Sequence, residues 1–195
     1  MKDGIKDGIK DGMILFHGSY CPVEEIDLDK CDPGKDFGRG FYLTSDSRQA
    51  RDFIRGSLIK ADKRGESMWR QNFGYVSSFI YHDKGLETYS FETTNKEWLW
   101  FVALNRNHRL AKELKPRINK AIFNAEIISG KIANDKTNPT LQAYLTGVFG
   151  DVLSDKAAEV AINLLLPNRL SDQICFLTER AVQCLEFKEA KKYGI

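Results

Sequence analysis

A chain of 195 residues has the length of one ordinary domain and can bury a substantial core without metals or disulfides. Its 29 basic residues nearly balance 27 acidic ones, which removes the electrostatic case for a dedicated nucleic-acid binder. The four cysteines, Cys21, Cys31, Cys175 and Cys184, form no Cys-x-x-Cys pair and have no histidine cluster beside them, so no metal site is expected. The N-terminus lacks the apolar run of a signal peptide, and the longest apolar segments, such as Ala157 to Leu166, fall short of a bilayer span. The expectation is a soluble, cytoplasmic protein with free thiols and no membrane contact.

Residues 1–12, MKDGIKDGIKDG, repeat Lys-Asp-Gly-Ile with too few apolar residues for a buried face, so they read as a disordered leader to one domain over 13–195. Met13 opens a strand that runs to Phe16. The stretch PGKDFGRGFYLT, Pro33 to Thr44, then brings Gly34, Gly38 and Gly40 together ahead of an apparent strand from Gly40 to Thr44. Such glycines signal special dihedrals or a close backbone approach. A dinucleotide fingerprint would follow a strand and open a helix, and a phosphate-binding loop would place Ser or Thr after its lysine; here Lys35 is followed by Asp36.

Asp46 is placed to cap a helix whose apolar face carries Ala50, Phe53, Ile54 and Leu58. Val76 to Tyr81 and Leu86 to Phe91 read as strands. NKEWLWFVALNRN reads as an apolar helix capped by Asn95, with Trp98, Trp100 and Phe101 in the core, and Ala121 to Ile128 as a strand. NPTLQAYLTGVFG and DKAAEVAINLLL read as helices, the first with Pro139 where its missing donor costs nothing. Gln173 to Leu177 is a short apolar strand, followed by a helix from Thr178 to about Leu185. Strands and helices are interspersed without strict alternation, which favours an α+β fold over a doubly wound sheet.

Polar groups capable of chemistry stand where strands begin or end: His17-Gly18-Ser19 after the first, Tyr42 in the second, and Gln173 at the start of the last. Each has a structural alternative when taken alone. His82 and His108 read as surface residues, and Arg106 and Arg109 as a solvated helix end that could also meet a pyrophosphate.

Together, FHGS, GRGFYLT, the SRQA helix and DQICF match in order and spacing a pattern that resembles the ADP-ribosyltransferase superfamily of the diphtheria-toxin and poly-ADP-ribose-polymerase type. GRGFYLTSDSRQA, EWLWFVALNR, IANDKT and LTERAVQCL are similar to a bacterial branch of it, classed as a domain of unknown function and associated with toxin–antitoxin loci. The resemblance covers about Met13 to Phe187. It implies a split, mixed β-core flanked by helices, NAD as co-substrate, and transfer of single ADP-ribose units to a macromolecular acceptor, with an antitoxin protein as a possible partner.

The resemblance makes His17, Tyr42 and Gln173 the catalytic residues and His17, Gly18, Ser19, Gly40 and Tyr42 the NAD-binding ones. His17 would bond a ribose hydroxyl, Gly18 would present its backbone to the nicotinamide amide, and Tyr42 would stack on the nicotinamide ring. Positive charge develops on the ribose as nicotinamide leaves, so the task is one of positioning and electrostatics. The departure from the pattern is Gln173, where related enzymes carry glutamate. An amide can hydrogen-bond a ribose hydroxyl but supplies neither charge nor a general base. Either the acceptor is already nucleophilic, or Glu179 helps, or transfer is weak. The rivals are a non-catalytic NAD-binding module and an RNA 2′-phosphotransferase.

Overall fold

The computed structural model describes residues 8–132, 137–165 and 170–195. The strands are β1 (Ile14–Ser19), β2 (Phe41–Leu43), β3 (Phe73–Tyr81), β4 (Thr88–Ser90), β5 (Ile127–Lys131), β6 (Asp172–Phe176) and β7 (Leu185–Gly194). The helices are α1 (Ser47–Arg64), α2 (Lys96–Arg106), α3 (Ala111–Leu114), α4 (Lys120–Asn124), α5 (Asn138–Leu145), α6 (Asp155–Leu165) and α7 (Glu179–Val182). The chain has an α+β fold with two sheets, an antiparallel one in the order β1-β3-β7 and a mixed one in the order β2-β6-β5-β4. In the mixed sheet β4 runs parallel to β5, while β6 is antiparallel to both its neighbours.

The two sheets are stitched at one point. Phe16 N–H donates to Thr44 O at 2.8 Å and Thr44 N–H returns the bond to Phe16 O at 3.0 Å. This bridge places the end of β2 beside the middle of β1, and so Tyr42 beside His17. Apolar residues from both sheets, among them Leu15 and Phe79 on one side and Phe41, Ile174 and Phe176 on the other, close a shared core. Along β6, Ile174 and Phe176 enter that core, whereas Cys175 joins a second core against α2, α5 and α6. Period-two alternation therefore turns Gln173, like Cys175, toward the helices.

Local sequence chemistry determines the helix starts. Asp46 accepts from Arg48 N–H ahead of α1, and Asn95 accepts from Trp98 N–H ahead of α2. The buried face of α1 is Ala50, Ile54 and Ala61; Phe53, expected there, is exposed, because it stands about 100° around the helix from Ile54 and off that stripe.

Several boundaries differ from expectation. The first strand runs on to Ser19 and so contains His17 and Gly18, while the Leu86–Phe91 strand shortens to β4. The Ala121–Ile128 strand is a short helix, α4, capped by Asn119, before β5 begins. The helix after Thr178 stops at Val182, and the charged tail LEFKEAKKYG becomes β7, paired along β3. Its charged residues suit an edge strand, and the short apolar alternation of Leu185 and Phe187, which pack on the inter-sheet core, gave the tail too weak a strand signal.

Of the expected disordered leader, residues 1–7 lie outside the described residues, as do residues 133–136 of IANDKT and Leu166 of the DKAAEVAINLLL helix. Residues 8–12 are ordered on the domain: Gly12 N–H donates to Tyr81 O at 2.8 Å, Asp83 N–H donates to Asp11 Oδ1 at 2.8 Å, and Ile9 packs on the inter-sheet core. Among the described residues no helix is long and apolar enough to cross a membrane.

Candidate functional site

His17 stands on β1 with its ring 4.6 Å from that of Phe41. Its Nδ1 donates to Tyr42 O at 2.9 Å, which leaves Nε2 as the acceptor of the neutral ring. Burial pushes its pKa below 6.5; the Tyr42 carbonyl opposes the shift and the Lys35 ammonium adds to it.

Tyr42 is tied to the glycine loop through its hydroxyl, which donates to Gly38 O at 2.8 Å and accepts from Phe37 N–H at 2.9 Å. Burial, and then the neighbouring Cys175, push its pKa well above 10. Phe37 stacks beside the ring at 6.5 Å.

The glycines of the loop answer to backbone geometry. Gly38 has φ +89°, a conformation that favours glycine. A Cβ on Gly40 would stand 2.4 Å from Cys175 Sγ and 2.8 Å from Phe176 O, so its absence lets β2 approach β6. At Gly18 a Cβ would lie only 1.8 Å from Ala50 O. The space freed at Gly18 is therefore taken by α1. Ser19 is also turned toward α1, with Oγ 3.5 Å from Ser57 Oγ.

Gln173 is a buried residue, 4% exposed. Its Nε2 donates to Asp36 Oδ2 at 3.0 Å and reaches Lys131 O at 3.4 Å. Asp36 comes from the glycine loop and is itself 3% exposed. Arg106 Nε donates to Asp36 Oδ1 at 2.8 Å, and Asn105 Nδ2 donates to Asp36 O at 3.1 Å. Arg106 is thus a half-buried partner of the buried Asp36, with 18% of its side chain exposed, and not a solvated helix end. A charge at the end of α2 is retained there because a loop carboxylate meets it.

Two pairings relate the expected residues: His17 bonds the Tyr42 carbonyl between β1 and β2, and Gln173 stands on the same face of the mixed sheet as Tyr42, since Tyr42 pairs with Cys175. Glu179 is exposed in the first turn of α7, where the helix end favours a carboxylate. His82 contacts Glu186 at 2.7 Å. The residues missed from the sequence are Asp36, Asn105 and Lys131, and the one available signal was an acidic side chain inside a glycine-rich turn.

A separate cavity of about 340 Å³ opens beside α2 and α4. Phe101, Leu104, Asn105, His108, Phe123 and Leu177 line it, and His17, Tyr42 and Gln173 do not. Its wall adjoins the glycine loop, since Asn105 bonds the Asp36 carbonyl and Phe101 stacks on Phe37.

Neither the curated proteins nor the solved structures yielded a match to this chain. One family model matches, over residues 13–187, and its description reads protein of unknown function (DUF3990). That span holds β1, the glycine loop and β6 alike, so the chain, candidate site included, belongs to the DUF3990 family.

Proposed function

We propose that this protein binds NAD and transfers single ADP-ribose units from it to a macromolecular acceptor inside the cell. The observation that carries the reading is that His17 bonds the Tyr42 backbone across the junction of the two sheets, while Tyr42 and Gln173 share one face of the mixed sheet. In the step proposed, the bond between ribose C1′ and nicotinamide breaks and its electron pair leaves with neutral nicotinamide. The acceptor's nucleophile then bonds to C1′ and its proton passes to solvent.

The side chains fit this chemistry in different ways. His17, held neutral by burial, offers Nε2 to a ribose hydroxyl. The Tyr42 ring offers a stacking surface, while its hydroxyl belongs to the loop. Gln173 orients and carries no charge, which suits transfer to an acceptor already nucleophilic and does not suit polymer growth.

The test combines NAD-dependent thermal protection with labelled NAD in cell lysate. A ligand at a hundredfold excess over its dissociation constant stabilises the native state by about 2.7 kcal/mol. Tyr42→Ala is expected to lose most of that protection. Tyr42→Phe is expected to keep the stacking surface but to lower the ligand-free Tm, since Phe37 N–H and Gly38 O lose their partner. Label on a macromolecule supports transfer. NAD bound without nicotinamide release would favour a non-catalytic module, and no protection of the wild type would sink the reading.

A further inference from the structure

Gln173 holds its amide against two acceptors on one side, Asp36 Oδ2 at 3.0 Å and Lys131 O at 3.4 Å. Neither oxygen can donate, so the amide nitrogen must face them; a flipped amide would set Oε1 against two oxygens. Oε1 accepts no hydrogen bond from the described residues and is not one of their enclosed unpartnered atoms. It is therefore the end of the side chain that a ligand can reach.

The carboxylate that sets this polarity cannot swing away. Arg106 grips Asp36 Oδ1, and Asn105 holds the Asp36 carbonyl at 3.1 Å. We propose that Asp36 is the positioning residue of Gln173: delivered by the glycine loop, it turns Nε2 inward and Oε1 outward toward the ribose of NAD, an assignment whose ligand rests on the reading above. Glutamine presents in this way the same acceptor that glutamate would. A glutamate here would set a second carboxylate against Asp36 across the present 3.0 Å contact.

Asp36→Asn provides an isosteric test with a definite sign. Arg106 needs an acceptor, so the new amide keeps Oδ1 toward it and points Nδ2 at Gln173, which must flip and present Nε2 to the ligand. NAD affinity is expected to fall about tenfold, the order of one lost hydrogen bond in a buried site. Gln173→Glu alone is expected to lower the ligand-free Tm. Combining Asp36→Asn with Gln173→Glu restores a donor–acceptor pair and an outward oxygen, so both Tm and NAD affinity are expected to return close to wild type. A cluster with a merely structural role would not make NAD affinity follow the amide's polarity.

The side-chain amide resonances of Gln173, assigned by their loss in Gln173→Ala, report the orientation directly. They are expected to shift in Asp36→Asn. Unmoved resonances in a folded Asp36→Asn protein would overturn the proposal, as would unchanged NAD affinity in that variant. A wild-type protein that binds no NAD would remove the nucleotide reading, and the amide resonances would still decide whether Asp36 orients Gln173.

Discussion

His17 shows how one half-buried ring couples the two sheets to solution pH. The unfolded chain protonates it near 6.5, whereas burial holds the folded ring neutral to lower pH. Its contribution to stability is therefore complete above pH 6.5 and is lost as pH falls from there through the lower folded value. The loss is at most about 1.4 kcal/mol per pH unit, the limit for a single proton. Chemical denaturation at pH 7.5, 6.5 and 5.5 is expected to show this decline, and His17→Gln to flatten it. An equal slope in both proteins would mean that the ring is already solvated in the native state.

Elements in this fold meet at distances that only certain side chains permit. Gly40→Ala inserts a methyl where Cys175 Sγ lies at 2.4 Å and Phe176 O at 2.8 Å, so β2 must move off β6. Overpacking of this kind costs about 1–3 kcal/mol, or several degrees of Tm at this chain length. Gly56 gives the opposite case, since it lies inside α1 with nothing within 4 Å of its missing Cβ. Gly56→Ala is expected to raise Tm through roughly 0.5–1 kcal/mol of helix propensity. Differential scanning calorimetry of the two variants checks both signs, and a tolerant Gly40→Ala would refute the close approach of β2 to β6.

At the scale of the whole molecule, the N-terminal segment serves as a tie between distant parts. Residues 9–12 join the end of β3 through Gly12 and the turn after it through Asp11, and Ile9 covers the inter-sheet core. Deletion of residues 1–12 is expected to lower Tm by several degrees, because two hydrogen bonds and an apolar contact are lost, about 1–3 kcal/mol together. An unchanged Tm would show that the segment adds nothing to the fold. The repeated Lys-Asp-Gly-Ile pattern could not reveal this tie: its partners, Tyr81 and Asp83, lie far along the chain.

The sequence alone determined what depends on near neighbours. Asp46 and Asn95 cap their helices because each side chain reaches a backbone N–H two or three residues on, and the α+β class follows from the order of the elements. His17, Tyr42 and Gln173 were legible through their positions at strand ends, but their partners were not. The partner of Gln173 is Asp36, 137 residues away, and no periodicity or propensity links two such positions. The strand β7 was hidden for a related reason, since this charged edge strand pairs along β3 by its backbone and its apolar contribution to the inter-sheet core is short, Leu185 and Phe187. Only the folded arrangement decided that Gly18 makes room for a helix, that Arg106 pairs with a buried Asp36, and that the Gln173 amide meets the same carboxylate. Each of these is a contact between segments brought together by the core, and the chain's local chemistry does not encode such contacts in any short stretch.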